Sequence, residues 1–315
     1  MFSDKTKYNT FQKLALTTVG ATIFLIFIGG LVRAAGAGLG CPDWPKCFGM
    51  WIPPTSISEL PDQFIISQFN VFKTWTEYVN RLVEVIVVLL ATTTFLLSFR
   101  HRKTNPAVTY SSGAAFLIVL VQGLLAGQIV MIGLDEWLIT LQMMLVMIVM
   151  MTFIYATFKA SPEPLSIQFS KQVGDWMLWA VLILMASTFI QLILGTQVRE
   201  MVDMFENLRE PPPREMWISR VGLIDEVHRS FSWIILIAGG VIFYLSRWQI
   251  ESPVVKKVGT TVFGLILLQL LTGLGLYYLG LPPVYQLIHL AGVAFLIAFE
   301  FLLFLIVMQA TDKST

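Results

Sequence analysis

The chain has 315 residues, of which 56% are hydrophobic and 13% are charged, and its mean hydropathy is +0.74. This composition excludes a soluble globular protein, which cannot solvate so much apolar surface, and predicts a multi-pass protein embedded in the lipid bilayer. The net charge of +1 comes without a block of basic residues, so nothing indicates a nucleic-acid partner.

Eight apolar segments, each long enough to span a bilayer, follow one another along the chain. We predict helices at residues 12–34, 75–98, 107–132, 136–158, 175–197, 224–246, 254–279 and 283–309. Lysines before the first segment and alanines after it are typical of a signal peptide, but its apolar stretch is too long for one. The predicted fold class is therefore all-α integral membrane, with eight transmembrane helices.

Basic residues concentrate near alternate ends of these segments, and this bias sets the expected orientation. Most of them, including Lys5, Lys7 and Arg100, lie on one side if that side is the cytoplasm. We therefore expect both termini in the cytoplasm and the two longest loops, residues 35–74 and 198–223, on the outer side. Proline clusters in both loops predict irregular structure rather than helix.

An internal repeat divides the segments into two sets of four. Gly29, Val32 and Arg33 recur as Gly195, Val198 and Arg199; Glu77, Asn80 and Arg81 recur as Asp225, His228 and Arg229; Gly133, Leu134 and Gln142 recur as Gly280, Leu281 and His289. Four helices return the chain to its starting side, so the repeats predict two parallel, pseudo-symmetric four-helix bundles. We place these halves at residues 1–158 and 159–315.

Two of the three histidines, His228 and His289, lie a few residues inside the outer ends of the sixth and eighth segments. At the rise of an α-helix, both are roughly 6–9 Å below the outer surface. A neutral imidazole is a good ligand for heme iron, and an unpartnered one is costly to bury in lipid. The matched depths and repeat positions predict a shared metal, while a hydrogen bond to a neighbouring helix is the alternative for each histidine.

Several sequence runs together resemble bacterial heme A synthases over nearly the whole chain. They are GGLVRAAGAGLGCPDWPKCFG (29–49), EYVNR (77–81), LGTQVRE (194–200), DEVHR (225–229) and GLPPVYQLIH (280–289). The resemblance implies an oxidoreductase that oxidises the C8 methyl group of heme O to a formyl group, for assembly of terminal oxidases. It also implies a heme b cofactor held by His228 and His289 in the C-terminal half, and a heme O site in the N-terminal half.

The N-terminal half departs from this family, which commonly has histidines where Asn80 and Gln142 stand here. Amides are weak iron ligands, so either heme O is held by its ring faces, propionates and farnesyl tail, or this half is degenerate. We favour the first interpretation, because Glu77 is retained where the family's proposed catalytic carboxylate lies. Asn80, Gln142 and Glu84 are the candidates for the substrate site.

Glu77 has two roles open to it. It could accept protons as the methyl group is oxidised, or stabilise a cationic intermediate. It could also form an ion pair with Arg81, which lies one helical turn further on the same face.

Four arginines lie at the outer ends of predicted helices: Arg33, Arg81, Arg199 and Arg229. A guanidinium group pairs well with a carboxylate, so they are candidates for binding heme propionates. Ordinary extension of these side chains toward the lipid headgroups is the alternative.

Cys41 and Cys47, the only cysteines, are six residues apart in the first long loop. An outward-facing compartment permits a disulfide there, and the family resemblance implies that the bond forms. A structural staple and a redox role both remain open.

Two other classes of function remain: a bis-histidine cytochrome that carries electrons, and a heme transporter or chaperone. The expected location is the bacterial cytoplasmic membrane. The expected partners are heme O, heme O synthase and oxidase assembly factors, with a homo-oligomer left open.

Overall fold

The computed structural model describes residues 8–133, 135–161, 165, 167, 169–206 and 208–311. In this part of the chain, eight helices are long and apolar enough to cross a membrane, as predicted. In chain order the helices are α1 (Thr10–Ala34), α2 (Val71–Ser98), α3 (Pro106–Ile132), α4 (Glu136–Lys159), α5 (Lys171–Glu206), the short α6 (Trp217–Val221), α7 (Leu223–Tyr244), α8 (Pro253–Tyr278) and α9 (Pro283–Thr311). Lys5, Lys7 and Leu134 lie outside the described residues.

Short polar residues determine where several of these helices begin. The side chain of Asn9 accepts a hydrogen bond from the backbone N–H of Gln12 at 2.8 Å, and the Gln12 side chain accepts one from the backbone N–H of Asn9 at 3.0 Å. Asn70 caps α2 in a similar way, and Ser252 caps α8 directly before Pro253. Polar caps thus mark helix ends that hydropathy alone locates only to within a few residues.

The fifth helix is longer than the sequence predicts. Residues 198–206 belong to α5, and α6 forms later in the same connection, so the prediction of an irregular loop over 198–223 is wrong in these parts. The helix continues because Val202 packs against Trp217 and Ile218 in a buried cluster. Arg199 and Asp203, one helical turn apart, form an ion pair at 2.6 Å that also stabilises this C-terminal part of α5.

The chain divides into two compact units, residues 1–161 and 162–315. In the first unit, α1 and α3 each pack against both α2 and α4; in the second, α5 and α8 each pack against both α7 and α9. Each unit is therefore a ring of four long helices, in which α2 stands opposite α4 and α7 stands opposite α9. The pseudo-symmetry between the units remains a prediction.

The connection between α1 and α2 folds around a disulfide between Cys41 and Cys47, as the sequence predicts. The buried Phe48 ring packs edge-on against Phe64 and Phe69, which gives the connection a small core of its own. Thr74 at the start of α2 donates a hydrogen bond to the carbonyl of Gly40 at 2.9 Å, so the disulfide loop is attached directly to that helix.

Gly40 is the tightest point of this attachment, and Gly40→Ala is expected to loosen it. A Cβ at this position would collide with the backbone carbonyls of Lys73 and Ala37, which cannot rotate away as a side chain would. We expect a loss of about 1–3 kcal/mol of stability, measured as a lower apparent Tm of the purified protein in detergent. Gly20→Ala is the matched control, since nothing lies within 4 Å of its Cβ position. An unchanged Tm for Gly40→Ala would contradict this account.

Candidate functional site

The two predicted ligands lie on opposing helices of the second unit. His228 is in the second turn of α7 and His289 in the second turn of α9, with α5 and α8 packed between these helices. The structure thus brings both imidazoles into one four-helix bundle, approaching from opposite sides.

Thr272 on α8 forms a hydrogen bond with the ring of His289. Its Oγ1 lies 2.9 Å from Nδ1 of His289 and 2.8 Å from the carbonyl of Leu268. The His289 tautomer with its proton on Nδ1 can donate to this hydroxyl oxygen and leaves a lone pair on Nε2. A metal-binding histidine is normally oriented by such a partner on its other nitrogen.

His228 has the environment of an imidazole that lacks a partner. Its Nδ1 is buried and has no hydrogen-bond partner within the described part of the chain. A buried polar atom left in this way costs about 1–3 kcal/mol unless another group binds it. Gly195 borders the ring, and a Cβ there would lie 3.3 Å from Cε1 of His228; Gly273 borders His289 at 3.6 Å. Each imidazole ring therefore has a glycine beside it, and a larger side chain there would restrict the access of a ligand to the ring.

Glutamines from neighbouring helices bind the backbone at both histidines. Gln191 on α5 donates to the carbonyl of His228 at 2.8 Å, and Gln269 on α8 donates to the carbonyl of His289 at 3.0 Å. These bonds link α5 to α7 and α8 to α9 at the level of the two imidazoles. In lipid each amide must find its partner within the protein.

The first unit carries amides at the two positions that the sequence repeat aligns with the imidazoles. Asn80 on α2 and Gln142 on α4 lie on opposing helices, and Asn80 donates to the Glu84 carboxylate at 3.1 Å. Gln142 and Glu84 border a cavity of about 50 Å³ inside this bundle, together with Thr22 and Gln122. Small-molecule sites are commonly about 300–1,000 Å³, so a tetrapyrrole requires the surrounding side chains to separate.

Glu77 and Arg81 form a buried ion pair, with Nε of Arg81 3.0 Å from Oε1 of Glu77. The guanidinium group also donates to the carbonyls of Asp43 at 2.7 Å, Lys46 at 2.8 Å and Cys41 at 3.3 Å. Arg81 is thus enclosed by the disulfide loop. The catalytic role of Glu77 remains a prediction beside this ion pair.

The other candidate arginines lie near helix ends, and two of them have identified protein partners. Arg229 pairs with Asp225 at 2.8 Å and lies 4.5 Å from the centre of the Tyr277 ring. Arg199 donates to Gln286 at 2.7 Å in addition to its ion pair. Arg33 is partly buried in the last turn of α1. Propionate binding by these arginines remains a prediction.

Sequence reasoning missed Glu300 on α9. Only 1% of this residue is exposed; Oε1 accepts a hydrogen bond from Thr188 on α5 at 2.8 Å, and Oε2 has no partner in the described residues. A carboxyl group inside an apolar span is by itself an indication of function. The repeat concealed this one, because the position 147 residues earlier is Phe153.

The fold and these sites define a multi-pass helical membrane protein with paired imidazoles across one of its bundles. Residues 12–301 match the family model for COX15-CtaA, described as cytochrome oxidase assembly protein. The chain belongs to this family, in agreement with the resemblance seen in the sequence.

Relatives with the name heme A synthase are similar to parts of the chain. That of Shewanella oneidensis is 31% identical over 134 residues, which are 40% of this chain and 36% of the relative. That of Geobacillus kaustophilus is 26% identical over 113 residues, 35% and 31% of the two chains. That of Bacillus cereus is 26% identical over 116 residues, 36% and 32% of the two. The matched regions thus span about a third of each relative's length.

Thr188 and Glu300 allow a direct test of the buried hydrogen bond. Thr188→Val leaves the Glu300 carboxyl group without that partner and is expected to cost about 1–3 kcal/mol. Replacing both residues, as Thr188→Val with Glu300→Leu, removes the polar pair together and is expected to recover most of that loss. Unfolding by SDS titration in mixed micelles measures both. Strictly additive losses in the double variant would show that the two side chains do not interact.

Proposed function

We propose that this protein is a heme A synthase, which oxidises the C8 methyl group of heme O to a formyl group. Family membership and the names of its relatives support this proposal. The observation that carries it is the pair of His228 and His289 on opposing helices, with Nδ1 of His289 hydrogen-bonded to Thr272 as is usual for a metal-binding histidine.

Heme b is the cofactor that suits the second unit. Its residues fit such a group, because the two imidazoles lie on opposing helices of one bundle and glycines border both rings. His228 and His289 would hold its iron, and Arg199 and Arg229 are candidates for its propionates. Bound there, the heme supplies one-electron transfer.

Heme O is the proposed substrate of the first unit. Gln142 and Glu84 border the cavity into which it would enter, and Asn80 binds Glu84. The ring faces, propionates and farnesyl tail of heme O supply the binding surface in place of an iron ligand. Arg33 is the candidate for the propionates of heme O. Arg81 is expected to contribute less there, since its donors already bind Glu77 and three carbonyls.

Glu77 is the proposed catalytic carboxylate. Oxidation of a methyl group to a formyl group, balanced with one water as the oxygen source, releases four protons and passes four electrons to an external acceptor, so a proton acceptor is needed beside the reacting carbon. Glu77 lies in the second turn of α2, one turn before Asn80 and two turns before Glu84. With Oε1 accepting from Arg81, Oε2 is the oxygen that remains for a substrate proton.

The setting of this proposal is the bacterial cytoplasmic membrane, with both termini in the cytoplasm. Heme O synthase and oxidase assembly factors are the proposed partners, as supplier of the substrate and recipients of the product.

Co-expression with a heme O synthase, in a host that makes no heme A, tests the proposed activity. Mass analysis of extracted pigments is expected to show heme A only when this chain is present. Glu77→Gln is expected to keep heme b but to lower heme A formation by about 10²–10⁴-fold, the usual contribution of a general base. His228→Ala and His289→Ala are each expected to lose heme b. His101, the third histidine, follows the end of α2 in the first unit, so His101→Ala is expected to keep heme b. Heme b without heme A from the unaltered protein would instead support an electron carrier.

The first unit is expected to accept a second bis-histidine heme when its amides are replaced. Asn80→His combined with Gln142→His places imidazoles at the positions that match His228 and His289 in the repeat. Heme per protein, measured from the pyridine hemochrome spectrum, is expected to rise from about one to about two. Each single variant serves as a control, since one imidazole completes only half of the ligand pair. An unchanged ratio in the double variant would show that α2 and α4 do not direct these positions toward each other.

A further inference from the structure

Arg81 has an unusual set of partners for an arginine in a membrane-spanning helix. Its side chain is only 9% exposed, and its guanidinium group donates to one carboxylate and three backbone carbonyls. All three carbonyls, those of Cys41, Asp43 and Lys46, belong to the loop that the disulfide closes. Lipid headgroups therefore do not explain its position, because the donors are directed into the protein.

The loop holds these carbonyls in place by contacts of its own. The Asp43 carboxylate accepts hydrogen bonds from the backbone N–H groups of Phe48 at 2.6 Å and Gly49 at 2.8 Å. Cys41, Cys47 and Phe48 are fully buried beside Tyr78 of α2. A rigid set of acceptors therefore surrounds one guanidinium group, whose planar fork of five donors suits several acceptors at once.

The matching arginine of the second unit has a different environment. Arg229 has the same one-turn spacing from its carboxylate, Asp225, but its side chain is 48% exposed and lies over the Tyr277 ring. The ion pair is thus common to both units, whereas the carbonyl set belongs to the unit that contains Glu77. This difference indicates a role for the loop that an ion pair alone does not supply.

We infer that Arg81 is a positioning residue, through which the Cys41–Cys47 loop holds the Glu77 carboxylate in one orientation. The disulfide fixes the carbonyls, the carbonyls fix the guanidinium group, and Nε fixes Oε1 of Glu77. This inference rests on the proposed function only in giving Glu77 a catalytic role. The connection from the loop through Arg81 to Glu77 follows from the contacts described above.

The decisive variant is Arg81→Lys, which keeps the positive charge but lacks the planar fork. Lysine can still pair with Glu77, yet it cannot bind three carbonyls and the carboxylate together. The full-length protein is treated with dicyclohexylcarbodiimide, a carboxyl-reactive probe that dissolves in lipid, and modification of Glu77 is quantified by peptide mass analysis. We expect Arg81→Lys to raise the rate of modification several-fold, and Arg229→Lys to leave it unchanged.

Removal of the disulfide shows whether the loop acts through Arg81. Cys41→Ser with Cys47→Ser, or reduction of the unaltered protein by a dithiol, is expected to raise Glu77 modification to a similar extent. In the Arg81→Lys background the same treatment is expected to add little, because both changes break one chain of contacts. Full additivity, or no response to either change, would overturn the inference.

Kinetics and pigment content separate this inference from the proposed function. Arg81→Lys is expected to lower kcat for heme O while KM stays within about twofold, because orientation of Glu77 matters in the chemical step. Retention of heme b by the variant reports that the second unit is folded. If the unaltered protein makes no heme A, the proposed function fails, while the modification rates still decide whether Arg81 links the loop to Glu77.

Discussion

A polar side chain in a membrane-spanning helix has no water to bond, so its partner must come from the protein. This constraint governs both units. The carboxylate of Glu77 binds Arg81, the amide of Gln269 binds the backbone of His289, and Thr188 binds Glu300. Each pair joins two helical turns or two helices at a defined height. The atoms that such pairs leave unsatisfied, above all Nδ1 of His228, indicate where another group belongs.

The same four-helix ring supports two kinds of site. Opposed helices carry imidazoles in the second unit and amides in the first, at positions related by the repeat. Imidazoles bind iron. Amides are weak iron ligands, so a heme beside them would have to be bound through its ring and substituents. The difference suits a cofactor that stays in one unit and a substrate that must leave the other, which is the division of roles in the proposed function.

The loop between α1 and α2 extends this organisation beyond the helices. Its disulfide, the Asp43 carboxylate and the aromatic core around Phe48 hold carbonyl oxygens toward Arg81. These carbonyls stabilise the guanidinium group of Arg81, whose one ion-pair partner among the described residues is Glu77 of the same helix. The loop is consequently part of the Glu77 environment, and its attachment at Gly40 bears on the site as well as on stability.

The sequence by itself determined the eight spans and the family, because apolar length and motif order are properties that a chain displays locally. The disulfide was expected from the family resemblance. It overestimated the irregular part of the connection after α5, since the helix continues there through packing of Val202 against Trp217. The one-turn spacing of Glu77 and Arg81 already predicted their ion pair, but only the tertiary structure decided the partners of polar groups that are distant in the sequence. Arg81 meets Lys46 across 35 residues and Thr188 meets Glu300 across 112, and no local pattern encodes such pairings. They arise because folding brings distant buried donors and acceptors together, where each would otherwise remain unsatisfied in lipid.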